Sequence, residues 1–226
     1  MTTMPAPTSR YRSLLSIPAV AAVVLLGVWV AGGVVSNDFK TSMALTAAWF
    51  LLSGAACLLV ARRARALRVV VLGTYVMTAG AVGAYLGLTT LRDRVAHERV
   101  VTASPATQTA AGKPAPAAVE VARGRFSSHE HATTGEAAIV RLADGRRFLT
   151  LTSFETSPGP DLRVRLVPEG SFDGGADGAV DLGALKGNRG DQQYAIPAGV
   201  DIARRTVVIW CRAFSAPFGS ARLPTV

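Results

Sequence analysis

Leu162-Arg163-Val164-Arg165-Leu166 alternates apolar and charged residues with a period of two, so an extended chain there puts three apolar side chains on one face and both arginines on the other. That pattern predicts a strand with one buried and one wet face. Outward from it, residues 137–142 and 147–154 flank Asp144-Gly145, a pair that accepts the positive backbone angles of a tight hairpin turn. Further strands are expected at 180–185, 192–196, 206–211 and near 218–223, separated by clusters of Gly, Pro and Asp. Residues 119–226 thus predict an all-β domain of seven or eight short strands, an antiparallel sandwich or barrel-like fold.

The first 100 residues are of another kind. The chain is 50% hydrophobic, too apolar for an ordinary soluble protein, and the surplus lies here. Residues 14–35, 41–60 and 69–90 hold no Asp, Glu, Lys, Arg or His. Each run is about 20 residues, enough to cross a hydrocarbon core of roughly 30 Å as a helix. Three transmembrane α-helices are expected within a membrane unit at 1–100. The first run exceeds the roughly 7–15 residues of a signal-peptide core, so it is read as a retained span rather than a cleaved leader. Ala79, Gly83 and Gly87 mark a small-residue face of the third helix, expected to pack inside the unit.

Arginines set the expected orientation. Arg10 and Arg12 precede the first span, the 36–40 loop carries one Asp and one Lys, and the 61–68 loop carries Arg62, Arg63, Arg65 and Arg68. By the positive-inside rule the third span delivers the carboxyl-terminal half to the far side of the membrane, outside the cytoplasm. Leu91-Arg-Asp-Arg-Val-Ala-His97-Glu-Arg reads as a charged collar that stops the third helix. Residues 101–118, rich in Ala, Pro and Thr, read as a stalk that holds the β domain up to about 50 Å away.

The net charge of +9 does not point to nucleic acid. Residues 1–100 carry 10 Lys and Arg against 3 Asp and Glu, while residues 101–226 carry 14 against 12, so most of the excess is topogenic arginine at membrane ends. With no Asp, Glu, Lys, Arg or His inside a span, nothing offers a proton relay or ion path, which argues against a transporter or channel. No Gly-x-Ser-x-Gly elbow or phosphate-cradling loop is present, so hydrolytic chemistry has little footing. Asp161 after Ser157-Pro-Gly-Pro160, and the glycines at 174, 175, 178, 183, 187 and 190, read as loop geometry.

Two features remain as candidates for chemistry. Cys211 closes the apolar run Thr206-Val-Val-Ile-Trp-Cys211, and the chain's other cysteine, Cys57, lies in the second span. Val207, Ile209 and Cys211 share one face of that run and Val208 and Trp210 the other; apolar residues on both faces imply a central strand covered from both sides, where a thiol is a core sulfur. A reactive thiol would need exposure and nearby positive charge. A continuing strand points the neighbouring Arg212 to the opposite face. His129 and His131, two apart, would share one side of an extended chain and so could share a metal, but no third donor stands at recognisable spacing. Either could serve as an axial ligand for a haem.

The order of several blocks carries a resemblance. Gly124-Arg-Phe126, His131-Ala-Thr-Thr-Gly135, Phe154 leading to Gly159-Pro-Asp-Leu162, Asp181-Leu-Gly183, Leu185-Lys-Gly187, Gly190-Asp-Gln-Gln-Tyr194 with Ile196-Pro197, and Val208-Ile-Trp-Cys211 with Phe214 and Phe218-Gly219 resemble the DM-thirteen, or electron-transfer DM-thirteen, family. Its members occur on animal cell surfaces and in bacterial membrane-anchored proteins. The resemblance covers about 119–223. It implies a β-rich domain whose characteristic cysteine, matched by Cys211, acts as a free thiol or as a ligand for a prosthetic group such as haem. The leading expectation is therefore a membrane-anchored redox or electron-transfer module outside the cytoplasm, with Cys211 as active thiol or ligand, His131 as a candidate second ligand and a redox partner in the envelope. Arg165 departs from the pattern, where the family often has an aromatic residue. A surface-binding β domain with Cys211 as packing is the competing expectation.

Overall fold

A computed structural model describes residues 7–103 and 118–224, and they fall into two compact units divided between residues 88 and 89. The first holds three helices: α1 (Pro7–Gly33), α2 (Phe39–Arg63) and α3 (Arg68–Leu91), with a single 3-10 turn at Arg65–Leu67 ahead of α3. Their segments Leu14–Gly33, Phe39–Arg63 and Arg65–Leu91 are long and apolar enough to cross a membrane. Asp38 starts α2 by accepting a 2.7 Å hydrogen bond from the Thr41 amide, which satisfies one of the donors a helix end leaves open. Trp49 of α2 lies against Gly27 of α1, where an added Cβ would fall 1.9 Å from the indole. The Tyr75 hydroxyl of α3 donates to the Phe50 carbonyl of α2 over Gly54, whose added Cβ would meet that phenol at 2.8 Å. The expected close packing at Gly83 and Gly87 is not found. A Cβ at Gly80, Gly83 or Gly87 would meet nothing within 4 Å, because α3 approaches α2 through Tyr75 instead.

The second unit is a two-sheet sandwich of mostly antiparallel strands. Its strands are β1 (Val95–His97), β2 (Ala118–Arg125), β3 (Ser127–Ser128), β4 (Thr133–Leu142), β5 (Arg147–Thr156), β6 (Leu162–Pro168), β7 (Val180–Ala184), β8 (Arg189–Ile196), β9 (Arg205–Cys211) and β10 (Ala216–Leu223). One sheet runs β1-β8-β5-β4-β2 and the other β3-β10-β9-β6-β7. The β4–β5 hairpin turns where expected: Gly145 has φ +85° and the Asp144 carboxylate accepts from the Arg146 amide at 3.0 Å. In β6 the alternation also holds, with Leu162, Val164 and Leu166 buried. Its arginines are half-buried rather than wet, because β7 lies beside them and Arg163 pairs with Asp181 at 3.0 Å.

The collar and stalk expectations are corrected by β1. Val95, Ala96 and His97 pair in parallel with Arg189, Gly190 and Asp191 of β8, so the segment read as a collar belongs to a sheet. Only Arg92, Asp93 and Arg94 separate α3 from β1 in the chain. Of the expected linker 101–118, residues 104–117 lie outside the described residues, and Ala118 already begins β2. The segment joins β1 to β2, the two edges of one sheet, and is not the connection between helices and β unit.

The glycines explain why so short a strand docks. A Cβ at Gly190, where φ is +92°, would fall 2.1 Å from the Ala96 carbonyl, and one at Gly187 would fall 2.6 Å from the Ala96 amide. These glycines, read as loop punctuation, permit close backbone approach. Around them the Glu98 carboxylate accepts from Lys186 Nζ at 2.7 Å and from the Gln193 amide at 2.9 Å. Asn188 donates to the Asp93 carboxylate at 2.8 Å and accepts from the Arg94 amide at 2.6 Å. A soluble fragment beginning at Ala118 lacks all of these contacts. It is expected to unfold several degrees below a fragment beginning at Asp93, since each lost hydrogen bond contributes roughly 0.5–1.5 kcal/mol, and a thermal melt of the two fragments checks this.

Candidate functional site

β9 lies between β10 and β6 and is apolar on both faces. Register sets Leu162 opposite Cys211, Val164 opposite Ile209 and Leu166 opposite Val207, so these residues share the face turned to the other sheet. Val208 and Trp210 take the opposite face with Val167, covered by Ala179. Gly174 sits there because its Cβ would fall 2.4 Å from the indole of Trp210. Cys211 is therefore the last residue of a strand with no free side, and it is fully buried.

Two loops close over the sulfur. Its thiol donates to the Pro160 carbonyl at 3.1 Å. Pro160 is itself buried, and a Cβ on the preceding Gly159 would fall 2.7 Å from the Phe218 ring. The following turn, Arg212 to Ser215, aims the Phe214 and Ala213 amides at the sulfur. Asp161 and Ser215 both adopt positive φ, +53° and +46°, a conformation that holds only where the surroundings fix it. The loops are joined by a clasp: the Arg212 amide donates to the Asp161 carbonyl at 3.1 Å, and Arg212 Nε meets the Asp161 carboxylate at 2.6 Å.

Burial pushes the Cys211 thiol up to about 12, and the nearby Asp161 charge adds to that, against the opposing pull of the Phe214 and Ala213 amides. The arginine beside it in sequence does not offset the shift, because its guanidinium is taken by Asp161. At rest the sulfur is a protonated core thiol. A haem iron takes cysteine as thiolate, and a sulfur with no exposed surface that donates its proton to a carbonyl does not fit that role in this arrangement.

The two histidines part. Residues 129–131 form a bend rather than a strand, so the same-side projection does not occur. His131 stacks on Phe218, ring centroids 3.9 Å apart. Phe218 is two residues beyond Ala216, the cross-strand partner of Cys211, so both candidate residues meet β10 at neighbouring positions. Thr133 donates its hydroxyl to the Phe218 carbonyl at 3.2 Å and lies 2.9 Å from the Thr156 hydroxyl, pinning that strand. His129 goes elsewhere: its Nε2 lies 2.8 Å from the Ser220 hydroxyl and its ring lies 4.5 Å from that of Phe172. Burial holds its pKa below the ordinary imidazole range, against the raising effect of Glu130. Sequence reading missed the Asp161–Arg212 clasp, although the pairing of Leu162 with Cys211 makes those two the next neighbours.

Residues 125–223 match the family model described as Electron transfer DM13. No curated protein and no solved structure matches the chain. The match lies within the β unit, and Cys211, His131 and the clasp all fall inside it, whereas β1 precedes it.

The folded thiol stays protonated above its unfolded pKa of about 8.5, and this gives stability a pH dependence with a definite sign. Between about 8.5 and 12 the unfolded chain holds fewer protons than the native one, so stability falls as pH rises, by up to roughly 1.4 kcal/mol per unit. Urea unfolding of the Asp93–Val226 fragment across pH 8–10 is expected to show this slope. Cys211→Ala is expected to remove that share of it, whatever the substitution costs in absolute stability.

Proposed function

We propose that the chain is a membrane-anchored electron-transfer module whose β unit works outside the cytoplasm, passing electrons to or from a partner in the envelope. The observation that carries this reading is the Electron transfer DM13 match over the sandwich that encloses the unpaired Cys211. Three apolar segments with four arginines clustered where the second meets the third support the anchoring and the orientation, on the charge rule for short loops. Cys211 is the proposed redox-active group, with His131 as a possible neighbour in any ligand set. The clasp then acts as the guard of the sulfur: chemistry at Cys211 requires the 160–161 and 212–215 loops to part, because the thiolate is suppressed where the thiol now stands.

A second reading has its own observation. Complete burial of Cys211, with its S–H donated to the Pro160 carbonyl, favours a sulfur that only packs, in a domain whose electron transfer uses another group. Full-length protein with Cys57→Ala, in membranes of intact cells, separates the readings. An impermeant maleimide added outside is expected to label Cys211 slowly, and Arg212→Gln is expected to speed labelling by up to about fivefold, since an exposed ion pair contributes up to about 1 kcal/mol. Labelling confined to inverted vesicles overturns the orientation. Labelling only after denaturation, in both proteins, favours the packing role.

A further inference from the structure

The turn between α2 and α3 holds a cavity of about 310 Å³ lined by Leu58, Ala61, Arg62, Arg65 and Arg68. The three arginines around it are exposed, while Ala61 is buried. This is a charged rim over an apolar wall. The charge has no counterpart within the helical unit. Asp38 is the only acidic residue between positions 7 and 91. It lies before the first turn of α2, some 37 Å along a 25-residue helix at 1.5 Å per residue, and it is engaged in capping Thr41.

Helix electrostatics do not account for all four arginines. Arg62 and Arg63 lie in the last turn of α2, where a cation complements the negative end of the helix dipole. Arg68 opens α3, at the positive end of a long helix, where a cation is unfavourable and an anion favourable, and Arg65 stands in the single turn just before it. Guanidinium groups match phosphate oxygens with paired N–H donors. One residue, Ala64, separates the two membrane-length segments, so the cavity stands at the depth where a span gives way to headgroups. Resting on the membrane placement proposed above, we infer that this cavity is a binding site for the phosphate of an acidic phospholipid, with Arg65 and Arg68 as its principal donors and Leu58 flanking the first acyl carbons. The chemistry is that of a phosphate anion, and the apolar wall and shallow depth commit it to a lipid rather than to a free ion.

The test uses the full chain extracted from membranes and analysed by native mass spectrometry after titration with phosphatidylglycerol or phosphatidylcholine. Wild type is expected to retain phosphatidylglycerol preferentially. Arg65→Gln with Arg68→Gln is expected to lower that retention on the order of tenfold or more, given the attraction of each surface arginine for anionic lipid, while Lys40→Gln leaves it unchanged. Arg65→Lys with Arg68→Lys keeps the charge that fixes topology. It is expected to insert normally, to prefer phosphatidylglycerol still, and to bind it more weakly than wild type because the paired donors are gone. Equal retention of the two lipids, an unchanged double-Gln variant, or full displacement by inorganic phosphate at millimolar concentration overturns the site. Carbonate extraction of the same membranes keeps the two readings apart: release of wild-type protein sinks the membrane placement itself, whereas embedded protein that binds both lipids alike sinks only the lipid site.

Discussion

β9 must be covered twice, and most of the sandwich follows from that requirement. A strand that is apolar at every position from Val207 to Cys211 leaves unburied surface unless both of its faces are occupied, at a cost of roughly 1.5–3 kcal/mol for each Val or Ile left wet. The inner face of Val207, Ile209 and Cys211 is met by the opposing sheet, whose Ile139, Leu149 and Leu151 are fully buried. The outer face of Val208 and Trp210 is met by Val167 and Ala179, which brings the β6–β7 connection back over its own sheet. Gly174 is small because that connection lies against the Trp210 ring. The same double coverage shuts in the sulfur, since Cys211 ends the strand and the 160–161 and 212–215 loops complete the enclosure.

Charge is arranged differently in the two halves. In the β unit, ion pairs join neighbouring segments: Asp161 with Arg212, Asp181 with Arg163, Glu98 with Lys186, and Glu136 with Arg123. Their side chains are exposed or half-buried, so each contributes little to stability, yet together they fix which strand and loop ends lie side by side. In the helical unit the basic residues of the α2–α3 turn have a single acid in the whole unit to face. The difference matches surroundings that supply counter-charge in one case and leave the protein to provide its own in the other.

Much of this was legible in the sequence. Period-two alternation at 162–166, the Asp144-Gly145 turn and the unbroken apolar run ending at Cys211 correctly gave a hairpin, an amphipathic strand and a central strand, because each depends on local backbone geometry and on which faces are wet. What was not legible depends on distant contacts. β1 is three residues long and carries only one apolar β-branched residue, Val95, so nothing in its composition separates it from a charged collar. Its evidence lay 90 residues away, in the spacing of Gly187 and Gly190. Glycine has one meaning for a turn and another for a close approach, and the sequence alone does not tell them apart. The histidines failed for a related reason: their side-by-side projection assumed an extended chain, and the chain bends there.

For electron transfer the consequence is a matter of proton balance. A thiol that is buried, hydrogen-bonded to a carbonyl and flanked by a carboxylate holds its proton through the physiological range, and without losing that proton it is a weak nucleophile and a weak ligand. The positive charge that would ease the loss stands one residue away on Arg212, and the fold directs it to Asp161. Parting the clasp would change three quantities together: it exposes the sulfur, frees the guanidinium, and moves the carboxylate away. Each of the three favours the thiolate. Local opening of this loop pair would break the Asp161–Arg212 ion pair, the Arg212 amide bond to the Asp161 carbonyl and the Cys211 thiol bond to the Pro160 carbonyl, and it leaves the strand pairing of both sheets in place. A sulfur closed at rest is thereby compatible with one that works on opening, and the two states differ at the clasp and not in the core.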